Sequence, residues 1–436
     1  MSVIHPVIIM SIAPLLEELF AMTFFGIKPG LERIETLLTH IGDPHVMLPV
    51  IHVAGTNGKG STCAMLAAIL QQAGYKTGLY TSPHIARFNE RIRINGTEIS
   101  DEDIARLARP LMNVAKPIGG TFFEVTTAMA LQYFAEQRVD VAVIETGLGG
   151  RLDATNVVSP LLTIITSIDI DHEEYLGSTL TGIAGEKAGI IKADVPCIVT
   201  EPRPELRSVF EERAQRLHAP LTFVDDVLQV DVDSYHPDLT MTVSVIDQNF
   251  RYYLTTDLCG PHQARNLAGV IAALPVLRSI YFISEEHVRL GLQRVQAVTG
   301  HAGRIQLRRH EPPIVLDVAH NPAGMKALVE TLAACGLAGH PWQVVFGVMA
   351  DKDADAMLAD LRPLTQTLHV CAPDYKRSMA PEELAERAMR NGFDDVRTFG
   401  TVADAVRAAL EADMATLVCG SFYVAEEASA VLPNDR

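Results

Sequence analysis

A glycine-rich segment at residues 53–61 (VAGTNGKGS) carries the residues best suited to binding phosphate. Residues 50–53 before it have the composition of a β-strand, and an apolar helical pattern follows it. Between a strand and a helix, glycines let backbone N–H groups converge at the positive end of the helix. Lys59 adds a cation that can reach terminal phosphates. The general phosphate-loop pattern is broken at Val53, where a glycine is usual, and at Gly60, which follows the lysine. An ordinary glycine-rich turn is therefore the alternative.

Three predicted strands lead into side chains that could bind a metal ion; they cover residues 77–80, 139–144 and 162–168. Ser82, Glu145 and His172 follow these strands, and the carboxyl ends of parallel strands meet at one edge of a sheet. Mg²⁺ prefers oxygen ligands, which favours Ser82 and Glu145. Glu145 could also be a solvated carboxylate, although the glycine-rich turn after it indicates close approach of backbone to a ligand. For His172, a hydrogen-bonding role beside Asp171 is the alternative.

The elements that must position these residues alternate between β-branched runs and helical patterns, which is typical of an α/β fold with a mostly parallel sheet. Further strands are predicted at residues 197–199, 314–316, 344–346, 368–370 and 417–419. Residues 225–256 predict a small antiparallel excursion, and residues 263–277 a helix. The Gly-rich segment 299–303 predicts a hinge. We therefore predict two α/β domains, at residues 1–297 and 298–436.

The composition limits the classes of partner. The 436 residues carry a net charge of −17, which argues against general binding to nucleic acid or to an anionic membrane. The six cysteines are scattered singly, which argues against a zinc ribbon or a disulfide framework and suits a reducing compartment. The apolar run at residues 3–16 lacks the charged leader and small-residue cleavage site of a signal peptide. We expect a cytoplasmic monomer that binds small molecules.

Several strings in this sequence resemble, in the same order, the folylpolyglutamate synthase/dihydrofolate synthase family of Mur-type ligases. They are GTNGKGS at 55–61, TSPH at 81–84, FNERIRING at 88–96, TFFEVTTAMA at 121–130, ETGLGGRLDATN at 145–156, DHEEYLGST at 171–179, EKAGIIK at 186–192, HQARN at 262–266, GR at 303–304 and LDVAHNP at 316–322. The resemblance runs from about residue 26 to residue 421. The family itself shows both departures from the general phosphate loop.

The resemblance implies an N-terminal Mur-ligase-like P-loop ATPase domain and a C-terminal Rossmann-like α/β domain. It also implies that ATP converts a substrate carboxylate to an acyl phosphate, which the amino group of L-glutamate attacks to form an amide. The acceptors would be dihydropteroate and reduced folates, as in the bifunctional bacterial enzymes. A monofunctional folylpolyglutamate synthase is the alternative. Another Mur-type ligase and a P-loop ATPase binding module are further alternatives.

The resemblance also implies roles for individual residues. The expected nucleotide contacts are Thr56, Asn57, Gly58, Lys59, Gly60, Ser61, Asn266, Arg304 and Asp317. The expected Mg²⁺ positions, for two ions, are Ser82, Glu145 and His172, together with Lys187 if that lysine is carbamylated. The expected contacts to the pterin side are Thr121, Phe122, Phe123, Glu124, Leu152, Asp153 and Ala154. The expected contacts to glutamate are Arg91, His320 and Ser421.

Lys59, Lys187 and His172 are the expected catalytic residues. Three of the assignments have ordinary alternatives. Lys187 could be an unmodified structural lysine, Arg304 a surface arginine in a linker, and the adjacent phenylalanines part of the core. Since Arg304 and Asp317 belong to the second predicted domain, closure about the hinge would be part of the reaction cycle.

Overall fold

The computed structural model describes residues 12–22, 30–247 and 250–433. Most of the apolar run at 3–16, and the start of the family resemblance near residue 26, lie outside these residues. From residue 13 onward, the run forms the start of a helix.

Within the described residues, eight strands form an N-terminal sheet: β1 (Val50–Ala54), β2 (Thr77–Tyr80), β3 (Ile92–Ile94), β4 (Thr97–Glu98), β5 (Val141–Glu145), β6 (Leu162–Ile165), β7 (Cys197–Val199) and β8 (Leu221–Phe223). They lie in the order β4-β3-β2-β5-β1-β6-β7-β8. All pairs from β2 to β8 in this order are parallel, while β3 and β4 add an antiparallel edge. The carboxyl ends of β1, β2, β5 and β6 therefore meet at one edge of the sheet.

Helices cover both faces of this sheet. They are α1 (Ala13–Ala21), α2 (Glu32–His40), α3 (Lys59–Gln72), α4 (Asp101–Ile118), α5 (Phe122–Glu136), α6 (Glu173–Leu176), α7 (Leu180–Ala188), α8 (Arg207–Arg216), α9 (Val224–Val227), α10 (Pro261–Arg278), α11 (Glu285–Gln293) and α12 (Val295–Thr299). Residues 61–70 of α3 are all buried, because this helix lies between the sheet and α10, α11 and α12. A helix that is apolar on every side needs such a position.

The described part of the chain also holds a three-stranded antiparallel sheet, made of β9 (Leu228–Tyr235), β10 (Met241–Asp247) and β11 (Arg251–Thr256). Its strands pack on α10 and α11. The central strand β10 buries the apolar side chains of Met241, Val243 and Val245 at alternate positions, and Ser244 between them is buried as well.

A second mostly parallel sheet lies between residues 306 and 419 of the described chain. Its strands are β12 (Gln306–Arg309), β13 (Ile314–Leu316), β14 (Trp342–Phe346), β15 (Thr367–Cys371), β16 (Asp395–Phe399) and β17 (Ala415–Cys419), in the order β12-β13-β17-β14-β15-β16. Its helices are α13 (Pro322–Ala334), α14 (Ala354–Leu361), α15 (Pro381–Arg390), α16 (Val402–Glu411) and α17 (Phe422–Ser429). The edge strand β12 is antiparallel to β13, and the other pairs are parallel.

The predicted α/β fold class is confirmed, and each predicted strand is present. The strand predicted at 162–168 ends at Ile165, because residues 166 and 167 bend toward the loop after β1 and bond to it. The predicted antiparallel excursion and the helix at 263–277 are also confirmed. The boundary predicted at residue 298 falls inside α12 and stays a prediction.

Candidate active site

The glycines of the loop after β1 hold backbone conformations that a larger residue could not take. Gly55 has φ of 154° and Gly58 has φ of 89°. A Cβ at Gly55 would lie 1.7 Å from Oγ1 of Thr166, and one at Gly58 would lie 2.1 Å from Oδ1 of Asn266. Gly58 also caps α3, so the free N–H groups of the first helical turn begin directly after it. The loop therefore has the form of a phosphate-binding loop.

Lys59 lies across this loop. Its Nζ donates to the carbonyl oxygens of Gly55 and Thr56, each at 3.0 Å. The loop is held to the end of β6 by the N–H of Thr56, which donates to the carbonyl of Ser167 at 2.7 Å. The hydroxyl of Thr56 also accepts from the N–H of Asp169 at 3.0 Å. These bonds fix the loop and leave the ammonium group of Lys59 at its rim.

The predicted metal-binding residues Ser82 and Glu145 are in contact. The N–H of Ser82 donates to Oε2 of Glu145 at 3.0 Å, and the carboxylate is 5% exposed. Burial raises the pKa of Glu145, while Lys59, the Ser82 N–H, Arg304 and Arg91 oppose this rise. A buried carboxylate at the edge of a phosphate loop, next to a hydroxyl side chain, offers the hard oxygen ligands that Mg²⁺ prefers.

A small cleft, with a cavity volume of about 40 Å³, lies between the two large sheets. Its N-terminal wall includes Gly60, Ser82 and Glu145, and its other wall includes His301, Arg304 and Phe422. The guanidinium carbon of Arg304 lies 5.4 Å from the centre of the Phe422 ring. Arg304 therefore faces the phosphate loop across the cleft. A surface arginine in a linker, the alternative for this residue, would not be expected there.

His172 differs from the other two predicted metal-binding residues, which line the cleft. Its side chain is 54% exposed, its Nε2 lies 3.6 Å from Asp171, and it is absent from the lining of the cleft. Among the described residues, no three His, Cys, Asp or Glu side chains are grouped as a metal site would require. His172 has φ of 50°, a left-handed conformation that is costly for a residue other than glycine and is often found at functional sites.

Lys187 is almost completely buried on the last turn of α7. Burial lowers its pKa to about 7, with a further contribution from Lys59, while Asp171 and Asp153 oppose the shift. A large fraction of this amine is therefore neutral near neutral pH, which is the form that reacts as a nucleophile. This property fits the expected carbamylation, which stays a prediction beside the structural-lysine alternative.

On the expected pterin side, the carboxylate of Glu124 is bonded within the protein. Its Oε2 accepts from the N–H and the hydroxyl of Thr121, at 2.7 and 3.0 Å, which forms a capping box for α5. Its Oε1 lies 2.8 Å from Nε of Arg33. These contacts position the first turn of α5 and use both carboxylate oxygens of Glu124.

Asp153 is bonded in a similar way. Its Oδ2 accepts from the N–H of Leu148 at 2.7 Å, and its Oδ1 accepts from the N–H and hydroxyl of Thr155. Burial raises the pKa of Asp153, and these bonds oppose the rise. Leu152 beside it is half-buried and Ala154 is buried, so the turn after β5 is closely packed.

The two adjacent phenylalanines have different surroundings. Phe122 stacks on Phe20 with 5.4 Å between ring centres, and the guanidinium of Arg91 lies 5.2 Å from the centre of its ring. Phe123 is half-buried and fills the space that a side chain at Gly147 would need. Arg91, which was expected near glutamate, is therefore placed beside an expected pterin contact.

The expected residues of the second sheet surround the end of β13. Asp317 accepts from the N–H groups of Ile305 and Ala319, at 2.8 and 2.7 Å, and burial raises its pKa. The His320 ring lies 5.6 Å from Phe422, next to the cleft. Ser421 is buried and caps α17 by accepting from the N–H of Val424.

Two residues at the site were not predicted individually. Gln263 donates to the hydroxyl of Ser61 at 3.2 Å and accepts from Asn266 at 2.9 Å. His301 lies 3.4 Å from the same hydroxyl, and burial lowers its pKa to about 3, helped by Arg304 and Arg93. Gln263 lies one helical turn before Asn266, and this spacing could have identified it. Nothing in the local sequence distinguishes His301 from another residue of the hinge.

The fold and this cleft define a Mur-type ligase. The Mur ligase middle domain matches residues 53–274, and the glutamate ligase domain of Mur ligases matches residues 303–422. Along the described residues, no helix is both long and apolar enough to cross a membrane.

Relatives that match almost the whole chain identify the family. The dihydrofolate synthase/folylpolyglutamate synthase of Bacillus subtilis is 37% identical over 414 residues, across 92% of this chain and 94% of the relative. The structure of folylpolyglutamate synthase from Thermotoga maritima is 33% identical, with a TM-score of 0.85 and coverage of 97% and 96%. The bifunctional folylpolyglutamate synthase/dihydrofolate synthase of Yersinia pestis, solved with AMPPNP and Mn ion, is 32% identical, with a TM-score of 0.80 and coverage of 98% and 99%. The chain therefore belongs to the dihydrofolate synthase/folylpolyglutamate synthase family.

Proposed function

We propose that this chain is an ATP-dependent ligase that joins L-glutamate to dihydropteroate and, in a second activity, to reduced folates that already carry glutamate. The observation that carries the proposal is the placement of the phosphate loop and Glu145 opposite Arg304 across one cleft. A phosphoryl group transferred within that cleft would meet cations from both sheets, and electrostatic stabilisation of this kind supplies much of the rate of phosphoryl transfer.

The loop residues Thr56, Asn57, Gly58, Lys59, Gly60 and Ser61 would bind the nucleotide phosphates. Lys59 already lies at the rim of the loop, and the first N–H groups of α3 point toward the same place. Asn266 packs against Gly58, and Arg304 lies across the cleft. Asp317 would act by holding residues 305 and 319 in place, because both of its oxygens accept their N–H groups.

Ser82 and Glu145 fit a divalent cation, since both offer oxygen ligands and the carboxylate is buried beside the phosphate loop. When bound, Mg²⁺ supplies charge neutralisation for the phosphates. His172, the third expected ligand, has an exposed side chain that does not line the cleft. Lys187 would add a carboxylate by carbamylation, in which the neutral amine bonds to the carbon of CO₂ and releases a proton.

The aromatic ring of Phe122 and the turn at residues 152–154 would contact the pterin, and His320 and Ser421 would lie on the glutamate side. Thr121 and Glu124 would contribute by fixing the start of α5, since they bond to each other. Arg91 lies beside Phe122, so it could contact the pterin or its carboxylate-bearing arm, and its expected contact to glutamate stays a prediction.

The purified chain, incubated with ATP, Mg²⁺ and labelled L-glutamate, tests this proposal. We expect incorporation of label with dihydropteroate and also with tetrahydrofolate. Incorporation with only the tetrahydrofolate would favour the monofunctional alternative. ATP hydrolysis that ignores both acceptors, without amide formation, would favour the ATPase alternative and contradict the proposal. The monomeric state, the cytoplasmic location and the domain boundary stay predictions from the sequence.

A further inference from the structure

Four polar residues form a hydrogen-bonded chain that runs from α10 through the phosphate-loop helix to the hinge. Asn266 donates to Oε1 of Gln263 at 2.9 Å, and Nε2 of Gln263 donates to Oγ of Ser61 at 3.2 Å. Ser61 Oγ lies 3.4 Å from Nε2 of His301. Asn266, Gln263 and Ser61 are each 5% exposed or less, so their polar atoms depend on one another.

One arrangement of this chain directs the Ser61 proton to His301. A serine hydroxyl has one proton to donate, and its oxygen already accepts from Gln263. With the ring proton of His301 on Nδ1, its Nε2 accepts the Ser61 proton as a neutral imidazole. The chain ends at His301, which belongs to the hinge at residues 299–303 and not to the N-terminal sheet.

Ser61 also lies in the first turn of α3, where the proposed phosphate would bind. A phosphate oxygen at that point is a charged acceptor, and charged acceptors form stronger hydrogen bonds than a neutral imidazole does. The phosphate and His301 would therefore compete for one proton.

We propose that His301 is a positioning residue that holds the hinge to Ser61 and is released when a nucleotide phosphate takes the Ser61 proton. Nucleotide binding and hinge position are then coupled through one hydroxyl group. The inference rests on the proposed function in one respect, namely that the loop at residues 53–61 binds the phosphates.

Replacing His301 tests the competition. In His301→Leu, the hydroxyl loses its competing acceptor, so ADP should bind about two- to tenfold more tightly than to the wild-type chain. His301→Gln keeps an acceptor oxygen and should bind ADP within about twofold of wild type. His310→Ala, at an exposed position beyond β12, is the matched control and should leave ADP affinity unchanged. A histidine that only stabilised the fold would give weaker binding, or no change, when removed.

Titration calorimetry measures the ADP affinity of each variant. Only variants whose melting curves match that of the wild-type chain are compared. Unchanged or weaker binding by a folded His301→Leu would overturn the proposal. If that variant does not fold, the histidine-ring ¹⁵N spectrum of the wild-type chain decides, with the His301 signal assigned from His301→Gln. ADP should shift its Nε2 signal as the hydroxyl leaves, and an unshifted signal would overturn the proposal. If the loop at residues 53–61 did not bind phosphate, the proposed function itself would fail, and ADP would bind to Lys59→Ala as tightly as to the wild-type chain.

Discussion

The backbone N–H of Ser82, after β2, donates to Oε2 of Glu145, at the end of β5, across 3.0 Å. Since β2 and β5 are neighbours in the sheet, this bond joins two strand ends that lie 63 residues apart in sequence. A Cβ added to Gly60 would lie 3.4 Å from the same Glu145 oxygen, so the carboxylate sits directly against the phosphate loop. The pair therefore links the proposed metal ligands to the proposed nucleotide site.

Glu145→Gln keeps the size of this side chain and removes its charge. We expect turnover to fall by roughly 10²–10³-fold, comparable with the loss of one electrostatic contact to a transition state. We also expect the Mg²⁺ concentration for half-maximal rate to rise. Glu330→Gln, on the exposed side of α13, is the control and should match wild type. A Glu145→Gln enzyme with a normal Mg²⁺ titration curve would remove Glu145 from the metal site.

Lys59→Ala removes the cation that lies across the phosphate loop. We expect a loss of roughly 10²–10³-fold in turnover with either acceptor, because the cation would stabilise the transferring phosphoryl group. Steady-state kinetics at saturating ATP measure this loss. Lys326→Ala, whose side chain is 66% exposed, should keep wild-type rates. Near-normal ligation by Lys59→Ala would place the lysine outside the reaction site.

Lys187 makes the stability of the chain depend on pH. The pKa of Lys187 is about 7 in the fold, whereas its ordinary value, expected in the unfolded chain, is 10.5. Between these two pH values the unfolded chain holds a proton that the folded chain has lost. The free energy of unfolding contributed by this group therefore rises with pH across that window. In CO₂-free buffer, wild type should gain stability relative to Lys187→Met from pH 7.5 to 10. If the free energy of unfolding changed with pH by the same amount in both proteins, Lys187 would have an ordinary pKa in the fold.

Glu124→Ala tests whether this carboxylate acts through the fold. The change removes the capping box with Thr121 and the ion pair of Glu124 with Arg33, so we expect the free energy of unfolding to fall by about 1–3 kcal/mol. Glu136→Ala, at the other end of α5 and more exposed, should cost less than about 1 kcal/mol. Denaturant unfolding measures both. Unchanged stability of Glu124→Ala, with a raised KM for dihydropteroate, would instead make Glu124 a direct pterin contact.

The sequence predicted the central strands and the loop because their signals are local. The buried parallel strand β5 is a continuous apolar run up to Glu145, and β1 is apolar except at His52, so Glu145 follows from its place at a strand end. The strands that were missed, such as β16 and β12, are half-exposed edge strands with few apolar residues. The pairing of Arg33 with Glu124 joins residues 91 positions apart, and that of His301 with Ser61 joins residues 240 apart. Neither pairing produces a local sequence pattern, so neither could be predicted from the sequence.

Oxygen transfer from the acceptor to phosphate tests the central claim most directly, namely that ATP activates a carboxylate in this cleft. The chain is incubated with ATP, Mg²⁺, L-glutamate and dihydropteroate whose carboxylate carries ¹⁸O, and the released phosphate is analysed by mass spectrometry. Our account predicts one ¹⁸O atom in each phosphate, because the acceptor oxygen stays with phosphorus when the amide forms. Amide product accompanied by phosphate without ¹⁸O would contradict it.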